Sequence, residues 1–512
     1  MSPSLIRDLS DTSGYWAAVW TMCCMPDVHV ICDAPIGCFN LVATAVPDYT
    51  DAIPHIDNVT PSVMTEQEVG GQGTGPTVQR TYEGLRDSGA LEGKRLIVVS
   101  TAESEMIGSD LSDLVKKLQP GATFYYSNSL SEDEWAGRDR VLRWLWENYG
   151  KPYLGLGASD LGLAEDSAAQ AASRKPQATN LVNIIGPTYG CFNAPSELHE
   201  IKRLIEGAGG QINLVYPFEA RLTDTPRLAD ARVNVVLYAE FGQGLAADLG
   251  QPTLVAPFGM RETTAFIREL GRLLGTEAQA EAFISHEKKT TLQAVWDLWR
   301  GPQGDWFGTT DVGIVAGRAH ADGLARYLGE ELGMPIAFVS SRPRRPDEPD
   351  NEAIRRRLHA KAPAFVFGSI NERIYLSEAG AKYTTFIPSA FPGPIVRRAV
   401  GTPFMGYSGA VYVIQEIVNR LYDALFNFLP VDSAYAKGAS AATAPAAAGA
   451  GNLPWQSEAK ALLDAALEKL PFIPRISASR QLQMQVETLA KQRGQSEITP
   501  DLVEEALAKQ PV

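Results

Sequence analysis

The chain has little cysteine and little histidine. Its 512 residues include six histidines and only five cysteines, Cys23, Cys24, Cys32, Cys38 and Cys191. No two cysteines are separated by two residues, which is the spacing typical of self-contained zinc and iron–sulfur sites. In a reducing compartment each thiol is free or a single metal ligand rather than half of a disulfide. We therefore do not expect a metal site built by this chain alone.

Positive charge is also scarce. The chain carries 46 lysines and arginines against 60 acidic residues, a formal net charge of −14. Because nucleic-acid binding requires a basic face, no nucleic-acid partner is expected. The one basic cluster, at residues 342–357, is interleaved with acidic residues. It is interpreted as a solvated loop and helix face, with a docking patch as the alternative.

Long hydrophobic runs are absent as well. Residues 15–25 are the most apolar early stretch and are far shorter than a membrane span. The first 13 residues have no apolar core of the kind found in signal peptides. These features predict a cytoplasmic protein. Residues 70–75, GGQGTG, lack the lysine of a phosphate-binding loop and are predicted to form only a glycine-rich turn, so ATP binding is not expected here.

Short apolar runs alternate with stretches of helical periodicity along most of the chain. Runs at 27–34, 95–101, 181–187 and 233–240 are candidate strands. Ser196 is predicted to cap the helix that follows the third of these runs. This alternation is typical of βα units with parallel sheets. The predicted fold class is therefore α/β, with three Rossmann-like doubly wound units.

Composition divides the chain further. The predicted α/β domains span residues 1–150, 181–300 and 301–435. Residues 436–452 are rich in alanine and glycine and are predicted to be a linker. Residues 453–512 are predicted to form a small helical domain, whose last helix begins at Pro500 after Thr499.

Cys38 is the cysteine best placed for chemistry. It follows a predicted strand in the sequence APIGCFN and starts the next helix, where backbone N–H groups stabilise a thiolate. Ligands of open α/β sheets bind at the carboxyl ends of strands. Cys32 lies inside the strand and is predicted to be a core thiol, and Cys23 and Cys24 are also expected to pack. Cys191 repeats the GCFN setting, which is either an internal echo or chance. From spacing alone, Cys38 is either a ligand or an ordinary thiol.

Several sequence segments together resemble those of one family, the nitrogenase-type catalytic subunits. This family includes nitrogenase and the light-independent tetrapyrrole reductases. The match covers about residues 15–430, and residues 470–494 are similar to the C-terminal module of the tetrapyrrole reductases. The resemblance implies a fold like that of the nitrogenase MoFe protein. The phrases that carry it are APIGCFN (34–40), SVMTEQEVGGQG (62–73), STAESEMIGSDL (100–111), VNIIGP (182–187), VNVVLYAEFG (233–242), PFGMRETTAFIREL (257–270) and PFMGYSGAVYVIQEIVNRL (403–421).

This resemblance implies a [4Fe-4S] cluster shared between two homologous subunits. Cys38 matches the position from which this type of subunit supplies one ligand, and a partner, subunit Y, is expected to supply three cysteines. Ala102 stands where ligand-rich relatives carry another cysteine. Cys191 matches no ligand of the family. Two Y chains and two chains of this type are expected to assemble, and a separate homodimeric iron–sulfur ATPase, the X protein, is expected to dock and deliver electrons.

Within the family, the chain resembles the Z-type subunits of chlorophyllide a reductases. That resemblance implies two-electron reduction of the C7=C8 bond of ring B of chlorophyllide a in bacteriochlorophyll biosynthesis, and it leaves open a peripheral association with photosynthetic membranes. One alternative is a B subunit of dark-operative protochlorophyllide reductase, in which an aspartate is expected at the position of Cys38. The other is a non-catalytic scaffold for metallocofactor assembly, against which the C-terminal module argues.

Proton donors are harder to predict. Asp305 lies in the region that resembles the segment of an aspartate proton donor in the related enzymes, and it is the candidate catalytic acid. His320 is a weaker candidate, with a structural role as the alternative. Glu66 is predicted to orient backbone rather than to titrate. A broad apolar pocket is expected, with walls at residues 403–409 and 470–475.

Overall fold

The computed structural model describes residues 12–40, 42, 56–154, 180–299, 306–381, 384–390, 401–428, 453–467, 482, 485–490 and 492–508. Asp305, the predicted linker at 436–452 and the predicted wall at 470–475 lie outside these residues. The described strands form three separate four-stranded sheets.

All three sheets are parallel and share one strand order. In each, the first strand pairs with the second on one side and the third on the other, and the fourth lies beyond the third. The predicted doubly wound α/β class is confirmed. The strands are β1 (Val28–Asp33), β2 (Val59–Pro61), β3 (Arg95–Ser100), β4 (Thr123–Tyr125), β5 (Leu181–Ile185), β6 (Gln211–Tyr216), β7 (Val233–Val236), β8 (Thr253–Val255), β9 (Val312–Gly317), β10 (Ile336–Arg342), β11 (Phe365–Gly368) and β12 (Thr385–Pro388).

Helices connect the strands and complete the fold. They are α1 (Gly14–Met22), α2 (Glu66–Gln72), α3 (Gly75–Asp87), α4 (Ala102–Met106), α5 (Ser112–Leu118), α6 (Glu134–Leu145), α7 (Ala194–Gly207), α8 (Gln243–Leu249), α9 (Gly259–Leu274), α10 (Glu277–Lys289), α11 (Gln293–Trp299), α12 (Arg318–Arg326), α13 (Asn351–Ala360), α14 (Ile370–Glu378), α15 (Gly406–Phe428), α16 (Ser457–Leu467) and α17 (Pro500–Ala508). Shorter 3₁₀ segments lie at Ile56–Asn58, Lys151–Tyr153 and Leu222–Asp230, and π-helical turns lie at Trp146–Gly150 and Tyr327–Glu331.

Strand β1 shows why the apolar runs form central strands. All six of its residues are buried, as expected for a parallel sheet covered on both faces. Val30 and Cys32 point into the largest hydrophobic cluster, whereas Ile31 packs in a different cluster on the opposite face. Cys32 is 0% exposed, which confirms the prediction of a core thiol.

The start of helix α7 differs from the prediction. The helix begins at Ala194, and Asn193, in a left-handed conformation with φ of 56°, is its N-cap. Pro195 then occupies the first turn, where its missing N–H is tolerated. The prediction that Ser196 caps this helix was therefore wrong, because the N-cap lies three residues earlier.

The C-terminal residues contain their own hydrophobic cluster. Leu463 of α16, Val486 and Leu502 of α17 are each at most 2% exposed. Helix α17 begins at Pro500, as predicted.

The division of the chain into domains near residues 150, 181, 300 and 435 stays a prediction. Among the described residues, no helix combines the length and the apolar character that crossing a membrane requires.

Candidate functional site

Cys38 lies at the carboxyl edge of the first sheet. Strand β1 ends at Asp33, and residues 36–40 form a helical turn that carries Cys38 away from the strand. The other four cysteines are buried, whereas Cys38 is only partly buried. Of the five thiols, Cys38 is therefore the one that an approaching group can reach.

A carboxylate lies directly beside this thiol. Sγ of Cys38 donates a hydrogen bond to Oε1 of Glu103 at 2.9 Å. Burial, and next the neighbouring Glu103, raise the pKa of Cys38 to about 11. The thiol is thus protonated at neutral pH in the isolated chain, and it must lose that proton to bind a metal.

Glu103 is held in place by its helix. Thr101 caps helix α4 by accepting a hydrogen bond from the backbone N–H of Ser104. The hydroxyl of Thr101 also donates to the backbone carbonyl of Asp33 at 2.8 Å. Because β1 and β3 are neighbours, with Asp33 opposite Ser100, the turns after both strands meet at one edge. The thiol and the carboxylate therefore come from adjacent strand ends.

A second carboxylate, Asp33, lies beneath this edge. It accepts hydrogen bonds from the hydroxyls of Thr74 at 2.8 Å and Ser62 at 3.4 Å. Burial raises the pKa of Asp33 to about 6, and the hydroxyl partners oppose this shift. Since Asp33 is 0% exposed, we interpret it as a support of the site rather than a ligand.

Exposed apolar side chains follow the strands of the sheet that carries the candidate site. Of the eleven large hydrophobic side chains that are exposed among the described residues, six follow the four strands of the first sheet. Patches of this kind mark contact surfaces for other proteins. We call the six the apolar rim: Ile36 after β1, Val63 after β2, Met106 and Ile107 after β3, and Tyr126 and Leu130 after β4.

Cys191 lies in a different environment. It is 7% exposed, and its sulfur lies 3.8 Å from Nη1 of Arg138 and 3.5 Å from the hydroxyl of Thr188. Burial raises the pKa of this thiol, as it does for Cys23 and Cys24. The structural role expected for Cys191 is consistent with this packing.

The residues around Cys38 could supply one ligand of an iron–sulfur cluster that is shared with a second chain. Across the described ranges, no group of three or more histidine, cysteine, aspartate or glutamate side chains could hold a metal ion. An iron–sulfur cluster generally requires four protein ligands, mostly thiolates. Cys38 can supply one of them at an accessible edge, and a second chain would have to supply the rest.

The structure places His320 and Glu66 in two different environments. His320 is 2% exposed and its Nε2 lies 3.1 Å from Oε1 of Glu197, so the structural role is favoured over that of an acid. Glu66 is exposed in the first turn of α2. It is Glu68 that orients backbone there, because it completes a capping box with Thr65.

Two other predicted features can be located in the structure. Within the glycine-rich segment 70–75, residues 70–72 end helix α2 and Gly75 begins helix α3, so the predicted turn is confined to Gly73 and Thr74. In the predicted wall at 403–409, Phe404 and Tyr407 are 0% exposed and belong to the core. Ser408 does line a cavity of about 510 Å³, together with Thr402 and Tyr412. The wall expected at residues 403–409 stays a prediction, and Ser408 is the residue of this segment that lines the cavity.

The family follows from a comparison with known proteins. Residues 13–422 match the family described as nitrogenase component 1 type oxidoreductase. Because the match spans most of the chain, the protein belongs to this family of oxidoreductases. A solved nitrogenase structure, Cp1 at pH 6.5, superposes with a TM-score of 0.64 at 15% identity, over 84% of this chain and 96% of that chain. At that identity the similarity establishes the fold alone.

The chain is also similar to individual proteins of known name. The chain is 28% identical over 391 residues to the B subunit of light-independent protochlorophyllide reductase from Heliobacterium modesticaldum, covering 69% of this chain and 72% of the relative. It is 25% identical over 518 residues to the B subunit of the corresponding reductase from a Synechococcus species, covering 93% of this chain and 94% of the relative. The second alignment reaches beyond the family match and includes the C-terminal region.

Sequence reasoning missed Glu103. The resemblance points to Ala102, where ligand-rich relatives are expected to carry cysteine, but the next residue is the one that contacts Cys38. One feature of the sequence could have indicated Glu103: it is an acidic residue within three positions of the end of the predicted strand at 95–101. The contact joins residues 65 positions apart, and only the pairing of β1 with β3 brings them together.

Proposed function

We propose that the chain is the catalytic subunit of a light-independent, ATP-dependent tetrapyrrole reductase, with Cys38 as one ligand of a [4Fe-4S] cluster. The observation that carries the proposal is the position of Cys38, the one partly buried thiol of five, at the carboxyl edge of the first sheet. Such a cluster would transfer electrons one at a time. Membership of the nitrogenase component 1 type family supports this interpretation.

The remaining cluster ligands would come from a homologous partner, subunit Y, in a heterotetramer of two Y chains and two chains of this type. The apolar rim supports a large contact at this edge, because six exposed hydrophobic side chains would be covered on association. Electrons would come from the X iron–sulfur ATPase, which docks transiently and hydrolyses the ATP. The enzyme would work in the cytoplasm. Cell fractionation would test whether it also associates peripherally with photosynthetic membranes.

We propose chlorophyllide a as the substrate, reduced at the C7=C8 bond during bacteriochlorophyll biosynthesis. A cysteine at position 38 favours this enzyme, since an aspartate is expected there in the protochlorophyllide reductase B subunits. The names of the relatives, at 25–28% identity, favour the second candidate, protochlorophyllide. Asp305 is proposed as a proton donor, so Asp305→Asn should lower turnover while leaving the cluster spectrum unchanged.

The cluster is tested on the complex purified after co-expression with the partner subunit. Cys38→Ser should lower the iron content and the intensity of the reduced-cluster EPR signal, whereas Cys191→Ala, a matched cysteine control, should leave both unchanged. Cys38→Asp should retain a cluster with an altered spectrum, because a carboxylate oxygen replaces the sulfur. Undiminished iron and an unchanged spectrum in Cys38→Ser would contradict the assignment of this ligand.

The substrate is tested by offering chlorophyllide a and protochlorophyllide separately to the same complex, with the ATPase, ATP and a reductant. We expect an absorbance change for the reduced ring only with chlorophyllide a. Turnover of protochlorophyllide alone would establish the second candidate. A complex that binds the cluster but turns over neither substrate would favour the assembly scaffold.

A further inference from the structure

We propose that the hydroxyl of Tyr15 donates a hydrogen bond to the thiolate sulfur of Cys38 when the iron–sulfur cluster is bound, and that this bond raises the reduction potential of the cluster. The inference rests on the proposed function, because it names a donor for the proposed ligand. Tyr15 itself is not proposed to bind iron or to lose its proton.

Tyr15 lies near the start of helix α1, at the edge of the first sheet that carries Cys38. A Cβ added to Gly14 would collide with the carbonyl oxygen of Ser127, so the helix starts in close contact with the turn after β4. The backbone N–H of Ser127 in turn donates to the hydroxyl of Ser100, the last residue of β3, at 2.7 Å. The start of α1 is therefore fixed at the carboxyl ends of β3 and β4.

The side chain of Tyr15 lies on the same face of the sheet as Cys32. Both belong to the largest hydrophobic cluster, and Cys38 packs against that cluster. Burial, then the contact with Cys32, and then the charges of Cys38 and Glu103 raise the pKa of Tyr15 well above its usual value. Because a charge shifts a pKa only from nearby, Tyr15 is a neighbour of the candidate ligand, and its hydroxyl keeps the proton that a donor needs.

The hydroxyl of Tyr15 has no partner in the part of the chain that the structure describes. The residue is 3% exposed, and its buried oxygen makes no hydrogen bond. Burial raises the pKa of the neighbouring Cys32 to about 12, so that sulfur stays a thiol, which is only a weak acceptor. Buried polar groups without a partner are rare in folded proteins, and an acceptor that arrives with a bound group accounts for this one.

Three other hydroxyls at this edge are already committed. The hydroxyl of Thr101 donates to the backbone carbonyl of Asp33 at 2.8 Å. The hydroxyls of Thr74 and Ser62 donate to the Asp33 carboxylate at 2.8 and 3.4 Å. Tyr15, in contrast, still has its proton to donate.

Cys38 changes its hydrogen-bonding role when it binds a metal. In the isolated chain its thiol donates to Glu103 at 2.9 Å, and ligation removes the proton that makes this bond. The metal-bound thiolate can then only accept, and the carboxylate of Glu103 offers it no proton. Hydrogen bonds to the sulfurs of a cluster tune its reduction potential, because they stabilise the more negative reduced state. The Tyr15 hydroxyl would supply such a bond.

The test measures the midpoint potential of the cluster by EPR-monitored redox titration of the complex with the partner subunit. Tyr15→Phe removes the hydroxyl and keeps the ring, so the iron content should equal that of wild type while the midpoint potential shifts to more negative values. In resonance Raman spectra, transfer of the wild-type complex to D₂O should shift an iron–thiolate stretching band, and Tyr15→Phe should lose that shift.

Tyr125→Phe is the matched control. Tyr125 is a buried residue of strand β4 in the same sheet, and its hydroxyl also makes no hydrogen bond among the described residues. Its pKa is shifted by burial and by Arg140, Glu132 and Glu105 rather than by a cysteine. The midpoint potential and the deuterium shift of Tyr125→Phe should therefore equal those of wild type.

Folding is checked by thermal unfolding of the isolated chain, which Tyr15→Phe should not destabilise because the hydroxyl has no partner to lose. If Tyr15→Phe fails to fold, 3-fluorotyrosine at position 15 replaces it, and its more acidic hydroxyl should shift the potential to more positive values. A wild-type potential in the folded variant, in a complex that holds its cluster, would overturn the inference and leave the proposed function standing. If the wild-type complex binds no cluster, both fail.

Discussion

Nε2 of His320 lies 3.1 Å from Oε1 of Glu197, and both side chains are almost completely buried. The same carboxylate accepts hydrogen bonds from the backbone N–H groups of Phe404 and Met405 at 2.9–3.1 Å. One side chain of helix α7 therefore binds the start of helix α12 and the segment that leads into helix α15.

Replacing Glu197 by alanine should destabilise the fold strongly. The change leaves two buried backbone N–H groups and His320 without their acceptor, and removing one partner of such a buried network costs about 3–5 kcal/mol. Glu197→Gln keeps one oxygen and should cost less. Urea unfolding followed by tryptophan fluorescence measures both. Glu206→Ala, an exposed glutamate of the same helix, should change the free energy of unfolding by less than about 0.5 kcal/mol. A similar effect of Glu197→Ala and Glu206→Ala would contradict the role of the buried network.

Strand β1 contains two buried titratable groups, Asp33 and His29. They should change the free energy of unfolding in opposite directions as the pH falls. Burial raises the pKa of Asp33 to about 6 and lowers the pKa of His29 to about 4. Between pH 4 and 6 the folded state binds more protons at Asp33 than the unfolded chain does, so this residue adds stability as the pH falls. Between pH 6.5 and 4 the folded state binds fewer protons at His29, so this residue removes stability as the pH falls.

The two contributions are separated by the variants Asp33→Asn and His29→Asn. Each shift corresponds to about 3 kcal/mol, at 1.36 kcal/mol per pKa unit. From pH 7 to pH 4, the stability of Asp33→Asn relative to wild type should fall, and that of His29→Asn relative to wild type should rise. Chemical denaturation at four pH values checks this. Parallel pH profiles for both variants would contradict the buried environments of these groups.

The long central strands could be predicted from the sequence, but the edge strands could not. Strands β1 and β3 are six residues long and each contains four apolar residues, a pattern that favours a buried strand. Strand β2 is three residues long and ends in Pro61, so its sequence favours a turn as much as a strand. Strand β4 is equally short. Their positions follow from pairing with a neighbour, which is a tertiary effect.

The candidate site was predictable only in part. Cys38 could be selected as a candidate because it follows a strand and lies in a helical turn, and both are local features. Glu103 could not, because the sequence does not state that β3 lies beside β1. The apolar rim is also a property of the assembled edge, since its members Ile36 and Leu130 come from opposite ends of the unit.

The reactivity of Cys38 in the isolated chain should report on Glu103. Glu103 is a cause of the raised pKa of Cys38, second to burial. Glu103→Ala should therefore lower this pKa, increase the thiolate fraction at pH 8–9 and speed alkylation by iodoacetamide. Peptide mapping by mass spectrometry measures the rate at Cys38, and the other four cysteines serve as internal controls because they are buried. An unchanged or slower rate in Glu103→Ala would show that the carboxylate does not act on the thiol.

Val63 should lower the free energy of unfolding of the isolated chain. It should also contribute to binding of the partner subunit. It is a β-branched residue with φ of 56°, in the left-handed region that such residues rarely adopt, and 47% of its surface is exposed. Val63→Gly should relieve strain of roughly 1–3 kcal/mol. The greater flexibility of glycine in the unfolded chain offsets about 0.5–1 kcal/mol, which leaves a net gain in the free energy of unfolding.

The same variant should weaken binding of the partner subunit, because the apolar rim loses one of its six side chains. Val63→Ala is the matched control: it keeps the Cβ, so most of the strain remains, but it removes exposed apolar surface. Thermal unfolding of the isolated chain and titration with the purified partner measure the two effects. A less stable Val63→Gly chain would show that the left-handed conformation is not strained. A Val63→Gly chain that gains stability and binds the partner as well as wild type would show instead that the rim does not extend to the turn after β2.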